Sequence, residues 1–254
     1  MIGIIDSGAG GVNVIVECLK FYNDDFIYLV DNKNCPYGDK NVKEIRRIVI
    51  SNIKSLINMY KVDFIILACN TASAILSADD LLTLKIPIIK TYPDVKNLCE
   101  YKNGILFATK NTLENSNLIK YYKNHYQFKL MNIKNLAKEI DENIKNNYEN
   151  NEKIQKILKK ELKNNNKLKN KYKNISCIAL GCTHFKYIKN NLNNLFNKNI
   201  NYLDCEREVA LNSSYLIKGN KTHSSIKVVL TKEDKQLKFA LEHFLHNLCG
   251  NNLT

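Results

Sequence analysis

The sequence predicts an α/β fold with parallel sheets, built as two similar units. Two observations carry this. Short, continuous, β-branched apolar runs alternate with helical segments along the chain. Continuous rather than alternating runs mark strands buried on both faces of a parallel sheet. In addition, Phe64-Ile65-Ile66-Leu67-Ala68-Cys69-Asn70-Thr71 is echoed 113 residues later by Cys177-Ile178-Ala179-Leu180-Gly181-Cys182-Thr183-His184. Each is a buried strand, a small residue, a cysteine and short polar residues that open a helix. A weaker echo links Gly3-Ile4-Ile5-Asp6-Ser7 with Gly104-Ile105-Leu106-Phe107-Ala108-Thr109, 101 residues on.

In chain order, strands are expected at Gly3–Asp6, Phe26–Asp31, Phe64–Ala68, Ile86–Lys90, Ile105–Ala108, Phe128–Met131, Ile175–Gly181, Asn201–Leu203 and Ile226–Leu230. Helices are expected at Val12–Phe21, Val42–Met59, Ser73–Leu84, Leu113–Asn124, Asn135–Leu162, Phe185–Phe196, Glu206–Lys218 and Glu233–Leu248. In the last, Leu237, Phe239, Leu241, Phe244, Leu245 and Leu248 recur at helical spacing, which packing alone explains. Ile144, Ile154, Ile157, Leu158 and Leu162 fit a long, mostly exposed helix entering the Lys/Asn-rich stretch 145–174. Such alternation gives parallel sheets. Nine strands could form one sheet, but the internal echo favours two. The expected division is 1–95 with 207–254 in the first unit and 96–206 in the second, with no clear linker between them.

The chain has 254 residues and a net charge of +13. That length supports a sizeable core without disulfide or metal staples. The basic excess is Lys scattered among Asn, whereas Arg is confined to Arg46, Arg47 and Arg207. Base and phosphate recognition favours Arg, so the charge reads as surface composition and no nucleic-acid partner is expected. No apolar run reaches the roughly 20 residues of a membrane span, and the N-terminus lacks a secretory pattern. A cytoplasmic protein with no membrane partner is expected. The eight cysteines include no CxxC pair, so free thiols are expected and a zinc site is not.

In open α/β sheets ligands sit at the carboxyl ends of strands. Four such ends carry suitable loops. Asp6-Ser7-Gly8-Ala9-Gly10-Gly11 is Gly-rich but lacks the Gly-Lys-Ser/Thr of a phosphate loop. Asp31-Asn32-Lys33-Asn34-Cys35-Pro36-Tyr37-Gly38 sets a carboxylate beside a turn that could line a site; Cys35 is read as incidental. Cys69-Asn70-Thr71 and Cys182-Thr183-His184 place thiols at helix N-termini, where the thiol pKa is expected to fall toward neutrality. Two matched thiols would face each other across a cleft. Opposed thiols without a metal suit proton transfer at a stereocentre: one removes the Cα proton from one face and the other delivers a proton to the opposite face. Asp6 and His184 could relay protons. No lysine motif for pyridoxal phosphate appears, so no cofactor is expected.

These segments carry a family resemblance. Asp6-Ser7-Gly8-x-Gly10-Gly11, Pro36-Tyr37-Gly38, Ala68-Cys69-Asn70-Thr71-Ala72-Ser73 and Leu180-Gly181-Cys182-Thr183-His184 resemble the signatures of cofactor-independent glutamate racemases, of the aspartate/glutamate racemase superfamily. Ala108-Thr109-x-x-Thr112 resembles that family's substrate loop, and Thr231 with the final helix its C-terminal segment. The resemblance implies two pseudo-symmetric flavodoxin-like domains with the active site between them. It implies Cys69 and Cys182 as the acid–base pair, assisted by Asp6 and His184. It assigns substrate binding to Asp6, Ser7, Tyr37, Gly38, Asn70, Thr71, Thr109, Thr112, Thr183 and His184. It implies glutamate as substrate and D-glutamate supplied for peptidoglycan; a homodimer is allowed for, and sequence does not fix the assembly. Departures at Val30-Asp31, at Lys90-Thr91-Tyr92-Pro93 and near Asp141, where the family has a Glu, are read as lying around the site rather than in it. The alternatives are an aspartate or other amino-acid racemase, a thiol-dependent hydrolase or transferase using Cys182 with His184, and a basic binding protein with a vestigial site.

Overall fold

The computed structural model describes residues 1–146, 151–163, 174–196, 200–219 and 221–249. Among the described residues nine strands form within two residues of the expected bounds: β1 (Ile2–Asp6), β2 (Asp25–Val30), β3 (Phe64–Leu67), β4 (Ile88–Lys90), β5 (Gly104–Ala108), β6 (Lys129–Met131), β7 (Cys177–Gly181), β8 (Asn201–Leu203) and β9 (Ser225–Leu230). They make two sheets, of order β4-β3-β1-β2-β9 and β6-β5-β7-β8. Every ladder is parallel.

The two sheets share one plan. Reading the second in reverse, β8-β7-β5-β6 matches β4-β3-β1-β2 of the first, and β9 is an addition beside β2. In each, the chain steps from the first strand to a neighbour on one side, then crosses to the other side. The crossings, between β1 and β3 and between β5 and β7, are the switch points where crevices open at the strand ends. Asp6, Cys69, Thr109 and Cys182 stand at or just past those four ends.

The strands are apolar because both their faces are covered. Along β1, Ile4 packs in a cluster with Val12, Ile15 and Phe64, while Ile5 packs in another with Val49, Ile53 and Leu67. Burying each such side chain contributes about 1.5–3 kcal/mol. The first cluster continues through Phe107, Ile178, Leu180 and Phe185, so one core spans both sheets. The Phe107 and Phe185 rings stack with centroids 4.2 Å apart. That contact anchors the turn that follows Cys182.

Several helices differ from expectation, each for a local reason. The expected helix over 73–84 begins at Asn70 and breaks after Ile75. Ser77 starts a new one, Ala78–Leu84, through a capping box with Asp80, because its hydroxyl and the Asp80 carboxylate satisfy free N–H groups. Ser116 likewise divides 113–124 into Lys110–Asn115 and Asn117–His125. The helix from Val42 widens into a π-helical turn over Leu56–Tyr60 and stops at Lys61, whose φ is 53°. A short helix, Val95–Leu98, was not anticipated.

The largest correction concerns 135–162. It is two helices, Leu136–Lys145 and Asn151–Lys163, and it is not mostly exposed. Ile154 and Leu158 are fully buried in the cluster that holds Leu192 and Leu195 of the helix Lys189–Phe196. Ile154, Ile157 and Leu158 thus form a stripe that faces a neighbouring helix, on a segment whose other described positions are largely exposed. The rest of the Lys/Asn-rich stretch, 147–150 and 164–173, lies outside the described residues. Among the described residues no helix is long and apolar enough to cross a membrane.

Candidate active site

The strand-end loops of the two sheets meet. Ser7, Pro36, Tyr37, Gly38, Cys69, Asn70, Thr71, Thr109, Ala137, Cys182 and His184 line one cavity of about 10 Å³, room for a single water molecule. Two grooves of about 510 Å³ lie elsewhere, one beside Tyr92 and Arg207, the other beside Tyr60 and Lys227. Neither contains a pair of thiols. Size is a poorer guide here than the convergence of polar groups at the switch points.

On the first-sheet side, β1 carries Asp6 into full burial. Its carboxylate accepts from the Gly8 N–H at 3.0 Å and from the Thr183 hydroxyl, across the interface, at 3.0 Å. Burial raises the Asp6 pKa, although His184 and these donors oppose it. Cys69 precedes the short helix Asn70–Ile75, and its thiol lies 3.9 Å from the Ser7 hydroxyl. The expected fall in its pKa does not occur. Burial and the Asp6 charge push Cys69 up to about 12, against the one backbone donor, Ala72 N–H. A six-residue helix offers a weak dipole, and desolvation of the thiolate outweighs it.

On the second-sheet side, Cys182 and His184 do meet, with the sulfur 3.7 Å from Nδ1. The other ring nitrogen, Nε2, donates to Asp141 Oδ1 at 2.9 Å. Burial works against the charged ring, but the Asp141 charge and hydrogen bond prevail and His184 is raised well above the ordinary histidine value. Asp141 is correspondingly lowered despite burial, chiefly by the His184 charge, with the Ala9 N–H and the Cys35 thiol also donating to it. The charged His184 ring thus stands directly against the Cys182 sulfur.

One sequence reading is sharpened here and one is corrected. Asp141 does not line the cavity, but it is bonded directly to His184, which does, because its helix, Leu136–Lys145, packs against the Thr183–Ile188 turn. Cys35 is not incidental: its Sγ lies 3.1 Å from Asp141 Oδ2. Cys35 lies in the strand-end loop after β2 and Asp141 on a helix distant in sequence, and only the tertiary contact between them reveals what either touches.

The remaining expected residues are placed as follows. Ser7, Tyr37, Gly38, Asn70, Thr71 and Thr109 line the cavity, while Asp6, Thr112 and Thr183 stand a layer behind it. Thr71, Thr109 and Thr112 join their hydroxyls in a ring, at 2.8, 3.1 and 2.9 Å. The Tyr37 hydroxyl donates to Asp31 Oδ2 at 2.5 Å, and Thr231 donates to Asp31 Oδ1 at 2.6 Å. Asp31 therefore holds the Tyr37 loop and does not line the cavity. Asn111 of the second sheet's loop donates to the Tyr37 carbonyl at 2.8 Å and clasps the two sides together. The Asn70 amide donates to the Cys205 sulfur at 3.7 Å and its Oδ1, buried at the cavity wall, has no partner among the described residues. An acceptor so placed fits an incoming N–H donor.

All eight cysteines are free thiols. Among the described residues no group of three or more His, Cys, Asp or Glu is arranged to hold a metal ion.

No protein-family model matches the chain. It is 34% identical over 213 residues to a glutamate racemase of Clostridium botulinum (strain Alaska E43 / Type E3), spanning 80% of this chain and 78% of the relative. A glutamate racemase of Clostridium botulinum (strain Kyoto / Type A2) is 30% identical over 249 residues, 93% of each chain. Among solved structures, a glutamate racemase of Bacillus anthracis superposes with TM-score 0.78 at 21% identity, covering 100% of this chain and 95% of that one. The Escherichia coli glutamate racemase, in complex with L-glutamate and the activator UDP-MurNAc-ala, gives 0.76 at 19% identity, covering 99% and 96%. An aspartate racemase of Picrophilus torridus gives 0.55 at 14% identity, covering 87% and 96%. These structures share the two-sheet α/β fold, and the sequence relatives decide the rest: the chain belongs to the glutamate racemase family.

Proposed function

We propose that this protein interconverts L- and D-glutamate by a two-base proton transfer at Cα and so supplies D-glutamate for peptidoglycan. The observation that carries this is the placement of Cys69 and Cys182 at equivalent strand ends, on opposite sheets, lining one cavity. Cys182 takes the proton from L-glutamate and Cys69 returns one to the opposite face; the reverse reaction exchanges the roles. His184, charged through Asp141, supports the thiolate at Cys182. Asp6 assists at Cys69. The substrate ammonium brings a positive charge that works against the burial and the Asp6 carboxylate that hold Cys69 protonated. Asn70 Oδ1 accepts from that ammonium, and the hydroxyls of Thr71, Thr109 and Thr112 exchange their mutual bonds for a substrate carboxylate. Ser7, Tyr37, Gly38 and Thr183 complete the enclosure.

A cavity of about 10 Å³ cannot hold glutamate. Binding therefore requires the two sheets to part. We propose that they part as domains, 1–95 with 207–254 and 96–206, hinged where the chain crosses between sheets.

Running the reaction in D₂O tests the reading. Deuterium should enter Cα of the inverted product, followed by mass spectrometry and circular dichroism. The contact between Cys182 and His184 keeps a Cys-dependent hydrolase in view, and that reading predicts no Cα exchange. Serine variants test the faces, since a hydroxyl keeps the shape but is a far poorer base. Cys182→Ser should show the larger primary deuterium effect with Cα-deuterated L-glutamate, and Cys69→Ser with the D-enantiomer. Equal effects in both variants would remove the assignment.

Gly8 offers another check. A Cβ there would fall 2.1 Å from Asp141 Oδ2 and 2.6 Å from His184 Nε2. Gly8→Ala is expected to push the carboxylate off His184 and lower kcat/KM on the order of 10²-fold, as for an ångström-scale misplacement. Retained far-UV circular dichroism with wild-type turnover would contradict it.

A further inference from the structure

Asp141 accepts two hydrogen bonds at one oxygen and one at the other. Oδ1 takes the Ala9 N–H at 2.9 Å and the His184 Nε2–H at 2.9 Å. Oδ2 takes the Cys35 thiol at 3.1 Å and, among the described residues, no other donor. Contacts at Oδ1 alone leave the carboxylate free to turn about that oxygen. A donor at Oδ2 fixes its plane, and with it the direction along which Oδ1 meets His184.

We propose that Cys35 is a positioning residue for the acid–base relay: its thiol pins Asp141 so that His184 is held charged against Cys182. The inference rests on the racemase reading and adds a third thiol to it. Cys35 acts as a donor and not as a nucleophile. Burial, with Asp141, Asp6 and Cys69 around it, holds its own pKa well above the usual thiol value and keeps the S–H in place. The groups facing His184 are Asp141, Cys182, Asp6 and Cys69, and the Tyr28 phenol stands behind the two carboxylates. Among the described thiols, Cys35 alone donates to the histidine's partner. A thiol is a weak donor, so its effect on charge is small and its effect on orientation dominates. Once Asp141 turns, burial pulls the His184 pKa down.

The test uses Cys35→Ala and Cys35→Ser with wild type alongside. The His184 ring is titrated by NMR, and glutamate racemisation is followed across pH. In the alanine variant His184 should titrate at lower pH than in wild type. The alkaline limb of kcat/KM should move down with it, and the value at neutral pH should fall about 10-fold, the weak end of a hydrogen bond to a charged group. Serine, which keeps a donor at the same place, should restore the titration and most of the rate. An unchanged His184 titration in the alanine variant overturns the inference, whatever the activity. So does a rate loss uniform in pH that serine does not rescue, because that is the signature of lost packing. The titration needs no turnover, so failure of wild type to racemise glutamate would count against the functional reading and leave the Cys35 test intact.

Discussion

Alanine at Cys69 or at Cys182 is expected to lower racemisation in both directions by about 10²–10⁴-fold, the range for removing a general acid or base. Inversion needs an acceptor on one face of Cα and a donor on the other. Under the proposed two-thiol mechanism either cysteine alone can begin the reaction and neither can finish it. The two lie on different sheets and share no hydrogen bond, so the loss reflects chemistry and not a collapse of one by the other. Circular dichroism of glutamate solutions reads the rate. Near-normal turnover by either variant would end the two-thiol mechanism. The single variants should still differ in one respect: deuterium wash-in without inversion can persist where a lone thiol exchanges its proton with solvent.

Asp6→Asn is expected to separate activity from stability. Turnover should fall about 10²-fold, at the lower end for an acid–base group. Stability at pH 7.5 should rise by about 1 kcal/mol, or roughly 2–4 °C in Tm for a chain of this size. The sign follows from linkage. Burial raises the native Asp6 pKa above the unfolded value of 3.8, so the native state holds its proton more tightly than the unfolded chain does. Wild-type stability then falls as pH climbs from 3.8 through the native pKa. The variant's advantage is absent below pH 3.8 and complete above the native pKa. Asparagine can still accept from Gly8 N–H and pair with the Thr183 hydroxyl, so both contacts survive. A lower Tm at pH 7.5, or an advantage that grows on acidification, would show that burial of the charge is not what Asp6 costs the fold.

Much of the candidate site was legible because the side chains that line its cavity sit at strand ends. Ile66-Leu67-Ala68-Cys69 and Leu180-Gly181-Cys182 announce a buried strand and its terminus by composition alone, and the repeat made the pairing visible. Asp141 and Cys35 were not legible in that way. Asp141 occupies one turn of an amphipathic helix whose other residues speak only of packing, and a carboxylate on such a helix is ordinarily solvated. Cys35 precedes Pro36 in a loop, where nothing local distinguishes a donor from a bystander. The helix breaks at Ser77 and Ser116 were readable in principle, since each serine is followed three residues later by the group it caps. They were overridden by apolar spacing that runs through the break. The thiol at Cys69 failed for a different reason: the sequence gives the helix start, but desolvation is a property of everything packed around it.

The shared strand plan of the two sheets carries unlike equipment: an imidazolium–carboxylate pair beside Cys182, and Ser7 with a buried carboxyl beside Cys69. Enantiomers have equal free energies in water, so the equilibrium constant of the proposed reaction is unity. By the Haldane relation kcat/KM must then be the same in both directions, however differently the two halves are built. The asymmetry can surface only in kcat and KM separately. A half that holds its enantiomer more tightly must turn it over more slowly by the same factor.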